Sequence, residues 1–339
     1  MTTVGDGLFQ YGGVPVASPD ALPADVHMVC RKTTASTAYA PFDYWYPRFK
    51  KDKFFTTIEE GYSALTTGRN DALYISPDSH SIVAAGSSAA AHTFAKSNCH
   101  IIGMDNAAPT YGSCIITDDG IAGTGHYNPL VDVTGDYNQF RNLRITYGNA
   151  LNTNLNCIQV QGSGNLFDNC FFDGPMSTTL ADLATFNLVK VAGVGNVFRN
   201  CVFGTMWKTR RVGNNLLQFC RSAAGLAARG TIFEDCIFQS NVDNVGVTHI
   251  DANSGGDVGY GPQYFKNCQL YFRWSDHGDQ VTQAIEWGIG GITTTLHFDA
   301  NCSIWGADDV SVGTNARLGV IWAQSGATTS TLGLSLNTA

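Results

Sequence analysis

Apolar and polar residues alternate along this chain in short runs, and the alternation keeps returning in one phrase. The copies read Phe140-Arg-Asn-Leu143-Arg-Ile145, Phe167-Asp-Asn-Cys170-Phe-Phe172, Phe198-Arg-Asn-Cys201-Val-Phe203, Phe233-Glu-Asp-Cys236-Ile-Phe238 and Phe265-Lys-Asn-Cys268-Gln-Leu270. A version one residue longer follows, Phe298-Asp-Ala-Asn-Cys302-Ser-Ile304. Their starts lie 27, 31, 35, 32 and 33 residues apart. Self-similarity at this period means one supersecondary unit stacked on itself, because a single unit cannot bury its apolar face alone.

Within a copy, Cys170 and Phe172 are two apart and share one face of a strand. Phe167 and Cys170 are three apart, so one straight strand cannot turn both inward, and the chain must bend at Asp168-Asn169. Asn tolerates the left-handed backbone that such a corner demands and can hydrogen-bond local backbone. The corner carries Asn142, Asn169, Asn200 and Asn267, with Asp235 in the remaining standard copy. Stacking at ~4.8 Å puts these amides in one ladder and Cys170, Cys201, Cys236 and Cys268 in a second, apolar ladder inside. Each copy follows a strand and a glycine turn, as in Val131-Asp-Val-Thr-Gly135, Ile158-Gln-Val-Gln-Gly162 and Val189-Lys-Val-Ala-Gly193. Strand, turn, strand, corner, strand makes three faces per coil. Earlier coils are expected at Phe94-Ala-Lys-Ser-Asn98-Cys99-His-Ile101 and at Ala72-Leu-Tyr-Ile75. Helical repeats would show a 3.6 period, and propeller blades would need hairpins. The predicted fold is therefore all-β, a single-stranded parallel β-helix of about ten coils, which the resemblance given below implies is right-handed.

Residues 1–53 do not repeat. They hold Phe9-Gln-Tyr11, a Pro-rich stretch to Pro23, the aromatic run Tyr44-Trp45-Tyr46 and the bases Arg48, Lys50, Lys51 and Lys53. Such an arm cannot form a core alone and either caps the solenoid or grips a partner. Residues 54–70 are expected to form a capping helix, with Ile58, Tyr62 and Leu65 on one face and Thr56 or Thr57 as N-cap. The β-helix proper is expected over 71–322, with a tail over 323–339.

Charged residues are 14% of the 339, aromatics 11%, and glycines number 37, a profile of packed β structure with a small charged surface. The net charge of −8 argues against a nucleic-acid partner, and the basic run Lys208-Thr-Arg-Arg211 reads as a solvated loop. Repeat-position cysteines stack as buried thiols, and with no CxxC pair a zinc site is not expected. The N-terminus lacks the basic start and apolar core of a signal peptide, and no run of ~18 apolar residues could cross a membrane.

No catalytic constellation stands out, and neither a cofactor nor a metal is expected. Asp168 aligns with Arg141, Arg199, Glu234 and Lys266, an alternation better suited to coil-to-coil ion pairs than to a glycosidase carboxyl pair. Asp276-His277 near His249 is a weak acid–base candidate. Lys190 and Arg221 could serve a lyase, but no carboxylate cluster sits at matching repeat positions. Trp207, Trp274, Trp287, Trp305 and Trp322 could line a sugar site, or cover the ends and loops of the solenoid.

Through the repeated Phe-x-Asn-Cys-x-Phe phrase, the chain resembles the pectate-lyase-like right-handed β-helix proteins. More narrowly, it resembles β-helix proteins of tailed-bacteriophage virions. The opening Phe9-Gln-Tyr-Gly-Gly-Val-Pro, the run Ile58-Glu-Glu-Gly-Tyr, Arg69-Asn-Asp-Ala-Leu-Tyr-Ile75 and Ser97-Asn-Cys-His-Ile-Ile-Gly103 carry that likeness. The resemblance implies a non-enzymatic virion protein, made in the host cytoplasm and assembled as a trimer or other symmetric oligomer. Its first form is a head decoration (cement) protein on the major capsid protein or another virion protein. Phe9, Tyr11, Trp45, Tyr46, Lys50 and Lys51 would then be the attachment residues. The alternative is a tailspike or fibre that binds or depolymerises host surface glycans, although the catalytic carboxylates of tailspikes have no clear counterpart.

Overall fold

The computed structural model describes residues 10–11, 14–15, 26–29, 53–82, 92–105, 114–118, 129–146, 156–174, 186–207, 209–210, 214–220, 227–244, 246–251, 261–274, 281–286, 296–309 and 320–323. Three sheets run along the molecule, one per side of the coil. Face I has seven strands, from His92–Phe94 to Ile285–Glu286; face II has eleven, ending at Val320–Ala323; face III has nine, from Ser79–Ile82 to Ser303–Trp305. Neighbouring strands within a face come from successive coils and pair in parallel. This is the expected parallel β-helix. In face II, ten strands follow in chain order from Val26–Val29 to Val320–Ala323, beyond the edge strand Phe54–Phe55.

The core is a set of columns. Phe140, Phe167, Phe198, Phe233, Phe265 and Phe298 lie in register on face II. Their rings stack at centroid separations of 4.8, 4.7, 5.0, 4.8 and 4.5 Å, nearly parallel. Each burial is worth roughly 1.5–3 kcal/mol relative to exposure. A second stack, Phe172–Phe203–Phe238, rises from face III at 5.0 and 4.5 Å.

Cys170, Cys201, Cys236 and Cys268 are buried. Each thiol donates to the backbone carbonyl of the phenylalanine one coil earlier: Phe140, Phe167, Phe198 and Phe233, at 3.4, 3.4, 3.3 and 3.4 Å. Sulfur therefore fills the inside of the corner and engages an inward carbonyl of the coil before. Burial pushes the Cys201 thiol well above its ordinary pKa, so it stays protonated and acts as a donor.

The corner between faces II and III is left-handed at each of the five standard copies: Asn142, Asn169, Asn200, Asp235 and Asn267 have φ of 55, 52, 53, 54 and 50°. Side-chain bonds join part of this column, Asn169 Nδ2 donating to Asn142 Oδ1 at 2.9 Å and Asn267 Nδ2 to Asp235 Oδ1 at 2.6 Å. Asn200 Nδ2 instead donates to Asp168 Oδ1 at 3.3 Å.

A different ladder occupies the turn between faces I and II. Asn138, Asn165 and Asn196 are buried there. Asn138 Oδ1 accepts the Cys99 N–H, Asn165 Oδ1 the Asn138 N–H, and Asn196 Oδ1 the Asn165 N–H, each at 2.9 Å. Later in the column Gln263 Oε1 accepts the Thr231 N–H at 3.0 Å. Three residues before the asparagines stand Gly135, Gly162 and Gly193. A Cβ on Gly162 would lie 2.0 Å from the Gly135 carbonyl oxygen, and one on Gly193 1.9 Å from that of Gly162. Only glycine lets the coils approach this closely.

Helix α1 (Ile58–Ala64) forms where expected, with Thr57 as N-cap accepting the Glu60 N–H at 3.2 Å. Ile58, Tyr62 and Leu65 join the core. Lys96 Nζ donates to the carbonyls of Tyr62, Ser63 and Leu65 at 2.8, 2.8 and 2.7 Å, satisfying the end of the helix.

Three expectations need correction. The solenoid does not wait for residue 71: Val26–Val29, inside the presumed arm, pairs in parallel with Asp71–Ile75. No repeat phrase marks that rung, so its short alternation gave no signal. The coil expected at Phe94 to Ile101 is present, but its residues sit one bend earlier than those of the repeat phrase. Phe94 belongs to face I, whereas Ile101 occupies the phenylalanine column opposite Phe140. Asn98, with φ 54°, aligns with the turn before face II, where Asn98 N–H donates to Asp136 O. Finally, Arg210 of the run Lys208–Arg211 is 2% exposed, not solvated.

Candidate functional site

On face I the strands read apolar, polar, apolar, so the middle residue of each points outward. Register places these residues in one column: Asp132, Gln159, Lys190, Gln218 and Asp251. Their apolar neighbours Val131, Val133, Ile158, Val160, Val189, Val191, Leu217 and Phe219 are fully buried beneath. At ~4.8 Å per rung the stripe spans about 19 Å. Lys190 sits at its centre, an amide on each side and a carboxylate beyond each amide. Two isolated carboxylates thus share the Lys190 column, each two rungs away, and they form no cluster. Coil lengths varying from 27 to 35 residues hid the alignment from inspection of the sequence.

Both carboxylates of the stripe have partners. Gln161 Nε2 donates to the two oxygens of Asp132 at 2.9 and 3.0 Å. Burial raises the Asp132 pKa, against the opposing effect of that amide. Gln218 Nε2 donates to Asp251 Oδ2 at 2.7 Å. Asp251 is buried, so the half-buried part of the stripe runs from Asp132 to Gln218.

Carboxylates at other repeat positions also bind neighbouring coils. Asp168 accepts from Arg199 Nη2 at 2.9 Å and Nε at 3.2 Å. Burial alone would raise the Asp168 pKa, but the guanidinium and the Asn200 amide hold it below the usual carboxylate value. Asp173 is paired with Arg144, and burial nevertheless raises its pKa. The alternating charges around Asp168 thus include the coil-to-coil ion pairing expected of them.

The buried Arg210 donates to Ser240 Oγ at 2.8 Å and to the side-chain and backbone oxygens of Asn214. His249 lies against Ser240 Oγ at 3.2 Å and stacks on Phe272 at 3.6 Å. Burial, reinforced by Arg210, holds His249 well below its ordinary pKa and hence neutral. This histidine is a core residue rather than half of a loop acid–base pair; Asp276 and His277 lie outside the described residues.

Phe9, Trp45, Tyr46, Lys50, Lys51, Arg221 and Trp287 also lie outside the described residues. Tyr11 falls in the strand Gln10–Tyr11, paired antiparallel with Val14–Pro15, and its side chain is not described. Trp207 and Trp305 are 74% and 42% exposed. Trp305 stands in register with Tyr271, itself 43% exposed, on the outside of face III. Among the described residues no group of three or more His, Cys, Asp or Glu side chains could hold a metal ion, and no helix is long and apolar enough to cross a membrane.

Solved structures decide the fold type. Pectate lyase Pel9A superposes with a TM-score of 0.56 at 14% identity, over 88% of this chain and 68% of that one. The chain has a pectate-lyase-like parallel β-helix fold. Deglycosylated pectin methylesterase from Aspergillus niger aligns with this β-helix at a TM-score of 0.50, with 14% identity over 90% of this chain and 85% of that one. ORF18 of Geobacillus virus E2 aligns at 12% identity over 76% of this β-helix and 56% of its own chain, and its TM-score of 0.29 carries no argument. No protein-family model matches the chain, and no curated protein sequence matches it.

Proposed function

We propose that this β-helix is a structural, non-enzymatic protein of a tailed-bacteriophage virion, and within it a head decoration protein. The observation that carries this reading is how its polar groups are used. Asp132, Asp168 and Asp173 reach to side chains one coil away, and Asn138, Asn165 and Asn196 accept backbone N–H groups of the coil before. A molecule that devotes its repeat positions to holding coils together suits a mechanical role. Phe9, Tyr11, Trp45, Tyr46, Lys50 and Lys51 are the proposed attachment residues on the major capsid protein, because aromatic anchors dominate interface energy.

Because Val26–Val29 belongs to the sheet, the arm cannot be removed whole without losing a rung. The test therefore uses full-length protein carrying Trp45→Ala and Tyr46→Ala, and separately a deletion of residues 1–25. Each is mixed with purified capsids lacking the protein and sedimented. Loss of co-sedimentation with an unchanged circular-dichroism spectrum is expected; full retention by both variants contradicts the attachment.

The face I stripe favours a second reading, a tailspike or fibre that engages host polysaccharide. Lys190 between Gln159 and Gln218 offers a cation and two amides to an acidic glycan. Release of reducing or unsaturated ends from capsular polysaccharide, abolished by Lys190→Ala, would select this reading over the first.

A further inference from the structure

Two columns run side by side on the outside of face II. One is apolar: Leu166, Val197, Ile232 and Tyr264 are in register, with Tyr264 36% exposed and the others half-buried. The second alternates in charge: Arg141, Asp168, Arg199, Glu234 and Lys266 are in register. Asp299 follows one coil later, directly after Phe298 pairs with Phe265, with its Oδ1 accepting the Asn267 N–H at 3.0 Å. The ion pair to Asp168 leaves the Arg199 side chain 42% exposed.

A column of six alternating charges has a symmetry property. A two-fold axis perpendicular to the coil stack, passing between Arg199 and Glu234, sets each charge opposite its complement in a second copy. Arg199 meets Glu234, Asp168 meets Lys266, and Arg141 meets Asp299. The same axis passes between Val197 and Ile232, setting these two against each other and Leu166 against Tyr264. A two-fold axis parallel to the stack would bring each rung against itself, Arg199 onto Arg199, which is repulsive. The three-fold assembly implied by the family resemblance likewise keeps equal rungs at equal heights and leaves the complementarity unused.

We propose that two copies of this chain dock antiparallel through face II. The apolar column supplies the desolvated strip of the interface, and the charge column fixes register and direction. The axis falls after the sixth of the ten strands, so eight rungs overlap, roughly 38 Å at ~4.8 Å each. A strip of that length reaches the ~800 Å² per partner of a stable pair at a width of about 21 Å, which takes in the turns flanking the strands.

Sedimentation equilibrium of the full chain at micromolar concentration tests this. The expected mass is twice 36.3 kDa. Arg199→Glu alone should weaken the pair at least about tenfold, the equivalent of one charge contact of ~1.4 kcal/mol. Adding Glu234→Arg should restore it, although within one copy the double variant sets like charges on neighbouring coils. Recovery therefore reports contacts between copies and not within one. Under mild oxidation, Val197→Cys protein should cross-link to Ile232→Cys protein while neither links to itself. A monomer or trimer of the unmodified chain, failure of the double variant to recover, or self-linking of Val197→Cys would each overturn the proposal.

Discussion

Two of the three bends in a coil carry asparagine in most copies, yet they solve different problems. At the corner between faces II and III, Asn142, Asn169, Asn200 and Asn267 take a left-handed backbone, and Asp235 does the same work in their column. The demand there is conformational, and any residue tolerant of positive φ meets it. At the turn between faces I and II, Asn138, Asn165 and Asn196 are buried, and their side-chain oxygens accept backbone N–H groups of the coil before. The demand there is hydrogen-bonding satisfaction in a dry interior, backed by glycines whose α-carbons nearly touch the previous coil. One bend stays near solvent and forgives substitution. The other is buried and should not.

Substitutions can break this contrast, and the largest effect is expected at the glycine column. Gly162→Ala puts a methyl group 2.0 Å from the Gly135 carbonyl oxygen. The coils must separate locally, at a cost of about 3 kcal/mol, read as a lowered midpoint in urea denaturation. Asn165→Ala comes next. It strands the buried Asn138 N–H without an acceptor, a loss of about 2 kcal/mol in the same assay. Asn169→Ala should cost only about 1 kcal/mol, because alanine lacks the short polar side chain that eases asparagine into left-handed backbone. Asn169→Gly adopts that backbone freely and should stay within about 0.5 kcal/mol of the unmodified protein. An Asn165→Ala variant as stable as Asn169→Gly would erase the distinction.

The same contrast explains what could be read from the sequence. The forgiving corner lies inside a phrase of constant spacing in five copies, so its period, its left-handed residues and its stacked thiols were legible at once. The buried column changes identity from Asn138, Asn165 and Asn196 to Thr231 and Gln263. Its one steady signal, glycine three residues before asparagine in Gly135, Gly162 and Gly193, is short and common in turns. The face I stripe was hidden for a related reason. Asp132, Lys190 and Asp251 align only when loops of unequal length are closed into coils. Arg210 misled because a run of bases normally faces water, whereas here Asn214 and Ser240 receive its guanidinium inside the coil. Phe94-Ala-Lys-Ser-Asn98-Cys99 misled by composition, having the residues of one bend at the position of the other.

Native-state hydrogen exchange at the backbone amides of Cys99, Asn138, Asn165 and Thr231 tests the stacked interior most directly. These are the N–H groups bonded to Asn138, Asn165, Asn196 and Gln263 of the following coil. They should exchange only on global unfolding, far more slowly than exposed turn amides such as that of Gly246. Exchange of all four at the rate of exposed turns would contradict the columnar interior on which the fold and its proposed role depend.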